Sequence, residues 1–357
     1  MTGDPDTPLA LMLKRSIRTH GPITVHDFMQ ACLLDPAHGY YRSAPAVGME
    51  GDFITAPEIS QIFGELIGLW SAVTWQLMGE PRPVRLAELG PGRGTLMRDA
   101  ISAARKVPAF LQAVDVHLIE VNAQLRQKQR ETLASLASWH ETLDQIPAGP
   151  AILIANEFLD ALPIRQFIGR GGAWNERTVE VTPGGRFRFG SSETTGTTPP
   201  GLGDPPRDGA LAEVRPGEDD LIAGLARRAA PLVALFIDYG PAGTEQGDTL
   251  QAVQGHAPVD LFAGPGLADV TAHVRFGTLA DKARSVGFAV GPVLTQAEFL
   301  GRLGAVERAS RLMASSPQHA ASVEAGIARL LSPQGMGTRF KVLALRSPHL
   351  PPLPAFG

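Results

Sequence analysis

The chain has 357 residues, 44% of them hydrophobic, which is enough for one large α/β domain with additions or for two modest domains. Thirty-two Lys and Arg against 36 Asp and Glu leave a net charge of −4 without a long basic run, which argues against an extended nucleic-acid surface. The single Cys32 excludes an internal disulfide and a cysteine-based zinc site, and no apolar run is long enough to span a membrane. The start, Met1 to Asp6, shows neither a secretory apolar stretch nor an Arg-rich transit segment.

Residues 7–36 read as helical pieces: Pro8 to Leu13 leads into a basic turn at Lys14, Arg15 and Arg18, then Thr24 caps a helix over Val25–Leu34 that Asp35-Pro36 stops. Gly51 to Gln61 is polar and aromatic together and precedes an apolar-periodic helix from Ile62 to Val73. It reads either as a capped helix start or as a lid that brings Thr55, Glu58 and Ser60 to a pocket. Residues 1–80 are thus expected to form a helical lid region ahead of a separate domain over 81–357.

Val84 to Leu89 reads as a buried strand running into Gly90-Pro91-Gly92-Arg93-Gly94, with Thr95 expected to cap a helix through Ala104. Strand, glycine turn and helix make a ligand crevice at the carboxyl end of a parallel sheet. The spacing of Gly90, Gly92 and Gly94 is G-x-G-x-G, one residue short of the dinucleotide fingerprint, and the loop has no phosphate-binding Lys. Glu88, just before the turn, suits a cationic amino-acid group. A second strand from Val114 ends at Glu120, placed to hold ribose hydroxyls. This pattern resembles motif I of S-adenosylmethionine-dependent methyltransferases, against the alternative of an ordinary βα turn. Asn122 caps the next helix, and Trp139 to Leu143 forms a short third strand and its exit, where Glu141 either contacts an adenine or is merely solvated. The apolar run Ala151–Ala155 suits a central parallel strand. At its end Asn156, Glu157 and Asp160 arrive together, as a helix cap, as crevice contacts, or as both.

Residues 164–190 alternate around Gly and Pro turns, as hairpins do, and 190–217 is a Gly, Pro, Ser and Thr-rich connection; an antiparallel insertion here hangs over the crevice. After a helix from Asp219 to Ala230, Leu232 to Ile237 is a fifth buried strand ending in Asp238-Tyr239-Gly240, where Tyr239 and Asn156 can position cofactor or substrate. A second insertion spans 241–275. Its His256 and His273 suit structural hydrogen bonding better than base chemistry, and their spacing makes no metal site; His273 is kept as a substrate-side candidate. A helix over Thr278–Val286, helical sequence over Glu298–Leu331 and a last strand within Gly337–Leu345 complete the chain.

Several of these motifs together resemble the MidA-like methyltransferase family, which includes a mitochondrial protein-arginine methyltransferase that assists assembly of respiratory complex I. The matching stretches are Gly51 to Gln61, Glu88 to Leu96, Ala155 to Pro163, Asp238 to Gly240, Gly247 to Gln251 and Ala268 to Val274. The resemblance implies a seven-stranded Rossmann-like class I methyltransferase sheet with an N-terminal helical extension and an inserted hairpin region. It implies S-adenosyl-L-methionine as cofactor and a protein acceptor, such as the arginine of a complex I subunit, while the acidic start without a transit segment suggests a bacterial cytoplasmic member. A guanidinium acceptor needs carboxylates, for which Glu157, Asp160 and Glu58 are the candidates. Two other readings remain: a non-catalytic assembly factor on this fold, and an NAD-linked oxidoreductase, which the glycine spacing and Glu88 disfavour.

Overall fold

A computed structural model describes residues 6–42, 55–192, 198–199, 202–203 and 206–357. The Gly51 to Ile54 part of the expected lid lies outside the described residues.

The core is a mostly parallel sheet. Strands Val84–Leu89, Val114–Ile119 and Ala137–His140 run parallel outward in that order. On the other side of Val84–Leu89 lie Ala151–Asn156 and then Leu232–Tyr239, again parallel. Phe340–Arg346 follows antiparallel, with the two-residue strands Ala289–Val290 and Leu294–Thr295 paired to it. Ala151–Asn156 is buried along its whole length, as expected of a strand covered on both faces. One face carries the helices Gln61–Leu77 and Thr95–Ala104 over a core with Trp70, Trp75 and Phe110. The opposite face carries Pro216–Ala226 and Phe276–Ser285 over Phe236, Phe276 and Leu343.

Two glycines set how closely the first pair of helices approaches. A Cβ on Gly68 would stand 2.3 Å from the Ala100 carbonyl oxygen, and one on Gly64 2.7 Å from the Asp99 Cβ. Backbone therefore lies directly on backbone across this contact.

The insertion forms its own antiparallel sheet, Leu211–Val214, Arg165–Arg170 and Ala173–Val181, with Phe187–Ser191 and Ile23–Thr24 also paired to Ala173–Val181. A third cluster, in which Phe28 meets Phe187 and Phe262 edge-on, ties the N-terminal helices to both insertions. Gln251–Gln254 pairs with Asp269–Thr271 in a small separate sheet.

Some local expectations are corrected. Pro8–His20 is one continuous helix rather than a helix and a basic turn, because Thr7 caps it through the Ala10 N–H and Lys14 pairs with Asp6. The stretch 298–331 breaks into three helices, at Gly304 with φ 83° and again before Pro317. Thr95 is not the cap of its helix: Gly94 occupies that position in the left-handed region at φ 81°. No helix follows Asn156, which ends its strand before a turn.

Candidate active site

The chain moves outward from Val84–Leu89 and then returns to Ala151–Asn156, so the sheet's topological switch point lies between these two strands. In open α/β sheets a ligand crevice forms there, at the carboxyl ends. A cavity of about 800 Å³ opens at this place, lined by Glu88, Gly90, Gly92, Glu120, Asn156, Glu157 and Asp160 among others.

The glycine turn forms one wall. Gly90, Gly92 and Gly94 have φ of 61°, 53° and 81°, a region that side chains with a Cβ rarely enter. Gly90 also has a spatial constraint, since a Cβ there would lie 2.9 Å from the Phe158 ring. Thr95, just after the turn, donates its hydroxyl to Glu58 Oε1 at 2.5 Å, which fixes the four-residue helix Ala56–Ile59 to the glycine loop.

Two acids flank the turn. Glu88 is 3% exposed, and burial pushes its carboxyl up to about 8. Glu120 Oε1 accepts the Asn122 N–H at 2.8 Å and Oε2 accepts from Gln129 Nε2 at 3.2 Å. Burial raises Glu120 as well, against the pull of those donors.

The facing wall is the turn after Ala151–Asn156. Glu157 sits at φ 50°, a strained value for a residue with a side chain. Its Oε1 accepts the Ala56 N–H at 3.0 Å and Asn156 Nδ2 at 3.1 Å. Buried Asp238, at the end of the adjacent strand, holds the turn in shape. Its Oδ2 accepts three consecutive N–H groups, from Phe158, Leu159 and Asp160, and its Oδ1 accepts that of Tyr239. Burial and the neighbouring Asp160 and Glu157 push the Asp238 carboxyl up, while those backbone donors favour its charged form. Buried Arg215 adds a second brace, donating to the Leu159 carbonyl at 2.9 Å and to that of His273 at 2.6 Å. Burial pushes Glu157 up to about 7, with Asp160 adding repulsion; burial likewise pushes Asp160 up to about 6, opposed by Tyr239 and Arg215.

Residues 66–292 match the family model described as "Putative S-adenosyl-L-methionine-dependent methyltransferase". The mitochondrial protein arginine methyltransferase NDUFAF7 of Mus musculus is 36% identical over 375 residues, spanning 96% of this chain and 85% of the relative. Its Drosophila melanogaster homologue is also 36% identical, spanning 98% and 88%. A Burkholderia thailandensis protein bound to S-adenosyl-homocysteine superposes with a TM-score of 0.87 at 26% identity, over 100% of this chain and 98% of that one. The chain belongs to this methyltransferase family. Its fold is the Rossmann-like class I methyltransferase fold.

S-adenosylmethionine is the cofactor of the family, and the methyltransferase's cavity has the polar groups to receive it. Glu88 Oε2 and Asn156 Oδ1 are buried at the cavity without a hydrogen-bond partner. An acidic acceptor beside the glycine turn matches the cofactor's ammonium, and the Gly90 backbone leaves the close approach that a side chain would fill.

The cavity gathers Thr55, Glu58, Glu88, Gly90, Gly92, Glu120, Asn156, Glu157, Asp160 and Tyr239 on its lining; Gly94 lies behind, as the helix cap. Ser60 is not on that lining. It caps Gln61–Leu77 through the Ile62 N–H and faces a smaller polar cavity of about 250 Å³ with Arg93 and Asp99. His273 is not on the lining either. Its ring packs edge-on against Tyr239, and its N–H donates to Thr249 Oγ1. Glu141 does line the cavity, with its side chain largely exposed toward Arg126. Sequence reasoning missed Tyr41, Gln251 and Asp269 on the lining, and Asp238 and Arg215 behind it. Asp238 and Asp269 stand inside the motifs that resemble the family, but single-sequence spacing does not say which acid faces a cavity. Among the described residues no cluster of His, Cys, Asp and Glu could hold a metal. Among the same residues, no helix is long and apolar enough to cross a membrane.

Proposed function

We propose that this methyltransferase acts on an arginine of a protein partner in the bacterial cytoplasm, with a respiratory complex I subunit as the first acceptor to test. The observation that carries this reading is the pair of carboxyls, half-buried Glu157 and buried Asp160, on the turn facing the glycine loop. The arginine methyltransferases named above support it by their similarity along nearly the whole chain. The proposed roles follow from position. Glu88 meets the cofactor's ammonium, Glu120 its ribose hydroxyls and Asn156 its other polar groups, with Gly90, Gly92 and Gly94 giving the backbone its close approach. The bound cofactor supplies an electrophilic methyl group on a sulfonium.

A guanidinium is cationic with delocalised lone pairs, so carboxylates must both hold it and bias charge away from the attacking nitrogen. Asp160 holds the guanidinium. Glu157, with a carboxyl near neutrality, takes the one proton that the nitrogen sheds as it gains the methyl. Glu58 keeps the glycine loop and the Ala56–Ile59 segment in register through Thr95, Thr55 lines the entrance, and Tyr239 walls the acceptor side.

The test is Glu157→Gln. The variant keeps the fold and binds S-adenosyl-homocysteine by calorimetry within about twofold, while transfer of labelled methyl falls by about a hundredfold or more. Full transfer by the variant would remove Glu157 from the chemistry.

A further inference from the structure

We propose that Asp269 and Tyr41 form the second wall of the acceptor slot, opposite the Glu157–Asp160 turn, and that the two aspartates together select a guanidinium over an ammonium. This rests on the arginine reading above. Asp269 opens the strand Asp269–Thr271, far from the glycine turn in sequence, yet it lines the same cavity as Asp160. The two are 6% and 7% exposed. The strand is tied to the catalytic turn by the Ala272 N–H, which donates to the Asp160 carbonyl at 3.0 Å.

Tyr41 holds Asp269 on this lining. Its hydroxyl donates to Asp269 Oδ1 at 3.0 Å, and burial, with the charges of Asp269 and Asp160 adding to it, raises the phenol's pKa. Tyr239 stands on the same lining, its hydroxyl donating to Thr271 Oγ1 at 2.5 Å and accepting from Gln251 Nε2 at 3.1 Å. Asn156 Oδ1, buried and without a partner, is a further acceptor at this cavity.

The wall therefore offers acceptors from two separate elements, with Tyr41 and Tyr239 on the same lining. A guanidinium is planar, presents five N–H donors in a rigid fork, is weakly hydrated and stacks on rings. It can satisfy a carboxylate on each edge at once. An ammonium is a compact, strongly hydrated charge with three donors and gains less from divided carboxylates. That makes Asp269 a residue that sets specificity by touching the acceptor, with Tyr41 orienting it.

The experiment uses labelled S-adenosylmethionine, the full-length protein, and as acceptor the soluble extract of a source strain lacking the gene. Asp269→Asn is expected to lower the transfer rate at sub-saturating acceptor by about tenfold or more, while S-adenosyl-homocysteine affinity stays within about twofold. Tyr41→Phe keeps the ring and removes the orienting hydroxyl, and is expected to lower the rate about threefold. In wild type, Nα-acetyl-arginine amide inhibits transfer and the lysine analogue does not; Asp269→Asn loses that discrimination.

The proposal is overturned if Asp269→Asn transfers within about twofold of wild type, if its loss of transfer tracks a loss of cofactor binding, or if the lysine analogue inhibits wild type as well as the arginine one. Should Asp269→Asn fail to fold, full activity of Tyr41→Phe overturns it. Hydrolysis of the labelled protein separates the two levels: wild-type label on a residue other than arginine sinks the arginine reading, whereas label on arginine that Asp269→Asn leaves unchanged sinks only the slot.

Discussion

Glu88 shows what one buried carboxyl does before any ligand arrives. Its ordinary value of 4.5 is pushed up to about 8 by burial alone. Between those values the native state holds a proton that the unfolded chain has lost, so this group's contribution to stability falls as pH rises through that window. An ammonium placed against Glu88 reverses the preference and drives the proton off. Binding of S-adenosyl-homocysteine at pH near 7 is therefore expected to release up to about one proton, read as a dependence of calorimetric heat on buffer ionisation enthalpy. Glu88→Gln should bind without that release; an unchanged release would move the proton source elsewhere. Glu88 and Glu120 were legible in the sequence because each stands at the end of a recognisable strand, and strand ends are where a parallel sheet places its ligands. Asp269 and Tyr41 were not, since their contact joins residues 228 positions apart and no local pattern predicts it. Ser60 and His273 show the converse: polar residues in a plausible stretch that are engaged elsewhere, Ser60 accepting the Ile62 N–H and His273 packing its ring on Tyr239 while its backbone N–H donates to Thr249 Oγ1.

Gly64 and Gly68 illustrate a competition between helix propensity and packing. Each lies inside the helix Gln61–Leu77, where alanine would favour the helical state by about 1 kcal/mol. At Gly68 the added methyl would meet the Ala100 backbone at 2.3 to 2.7 Å, so the helix must retreat from Thr95–Ala104. Overpacking of this kind costs about 1–3 kcal/mol or more where backbone rather than side chain must move. Packing wins, and Gly68→Ala is expected to lower the denaturant midpoint, with a net loss of about 2 kcal/mol. A stabilised variant would mean that the helices slide freely. The apolar period of this helix was plain in the sequence, but the closeness of its neighbour was not, because periodicity reports a face and not a distance. The same limit explains the misplaced cap. Thr95 has the residue type for capping, yet the turn's left-handed geometry puts Gly94 in that position and leaves the Thr95 hydroxyl for Glu58. Nor did spacing reveal that Asp238 braces the turn after Asn156 through three backbone N–H groups, for that brace crosses between adjacent strands.

The molecule as a whole brings acids from several elements to one cavity, and their joint titration should show in catalysis. Glu157 and Asp160 have carboxyls raised to about 7 and about 6. Both are raised, so the charged forms that the proposed guanidinium chemistry requires accumulate as pH rises. Methyl transfer at limiting acceptor is expected to climb from pH 6 toward 8 and then level off, about tenfold per pH unit on its steepest limb. A profile that is flat or falling over that range would contradict the assignment. The sheet order was largely legible, since fully apolar runs separated by helical periods imply parallel strands and crossovers. The last strand, Phe340–Arg346, is different: it enters antiparallel between Leu232–Tyr239 and Ala289–Val290, and nothing in its apolar run announces that direction. Its late position matters for how the chain is made. Until residues 340–346 have left the ribosome, the Leu232–Tyr239 strand has a bare hydrogen-bonding edge and a fully apolar body, the kind of edge that recruits other chains. The sheet that holds the active site therefore stays an aggregation hazard through synthesis of the intervening hundred or so residues and is sealed only once Phe340–Arg346 has emerged.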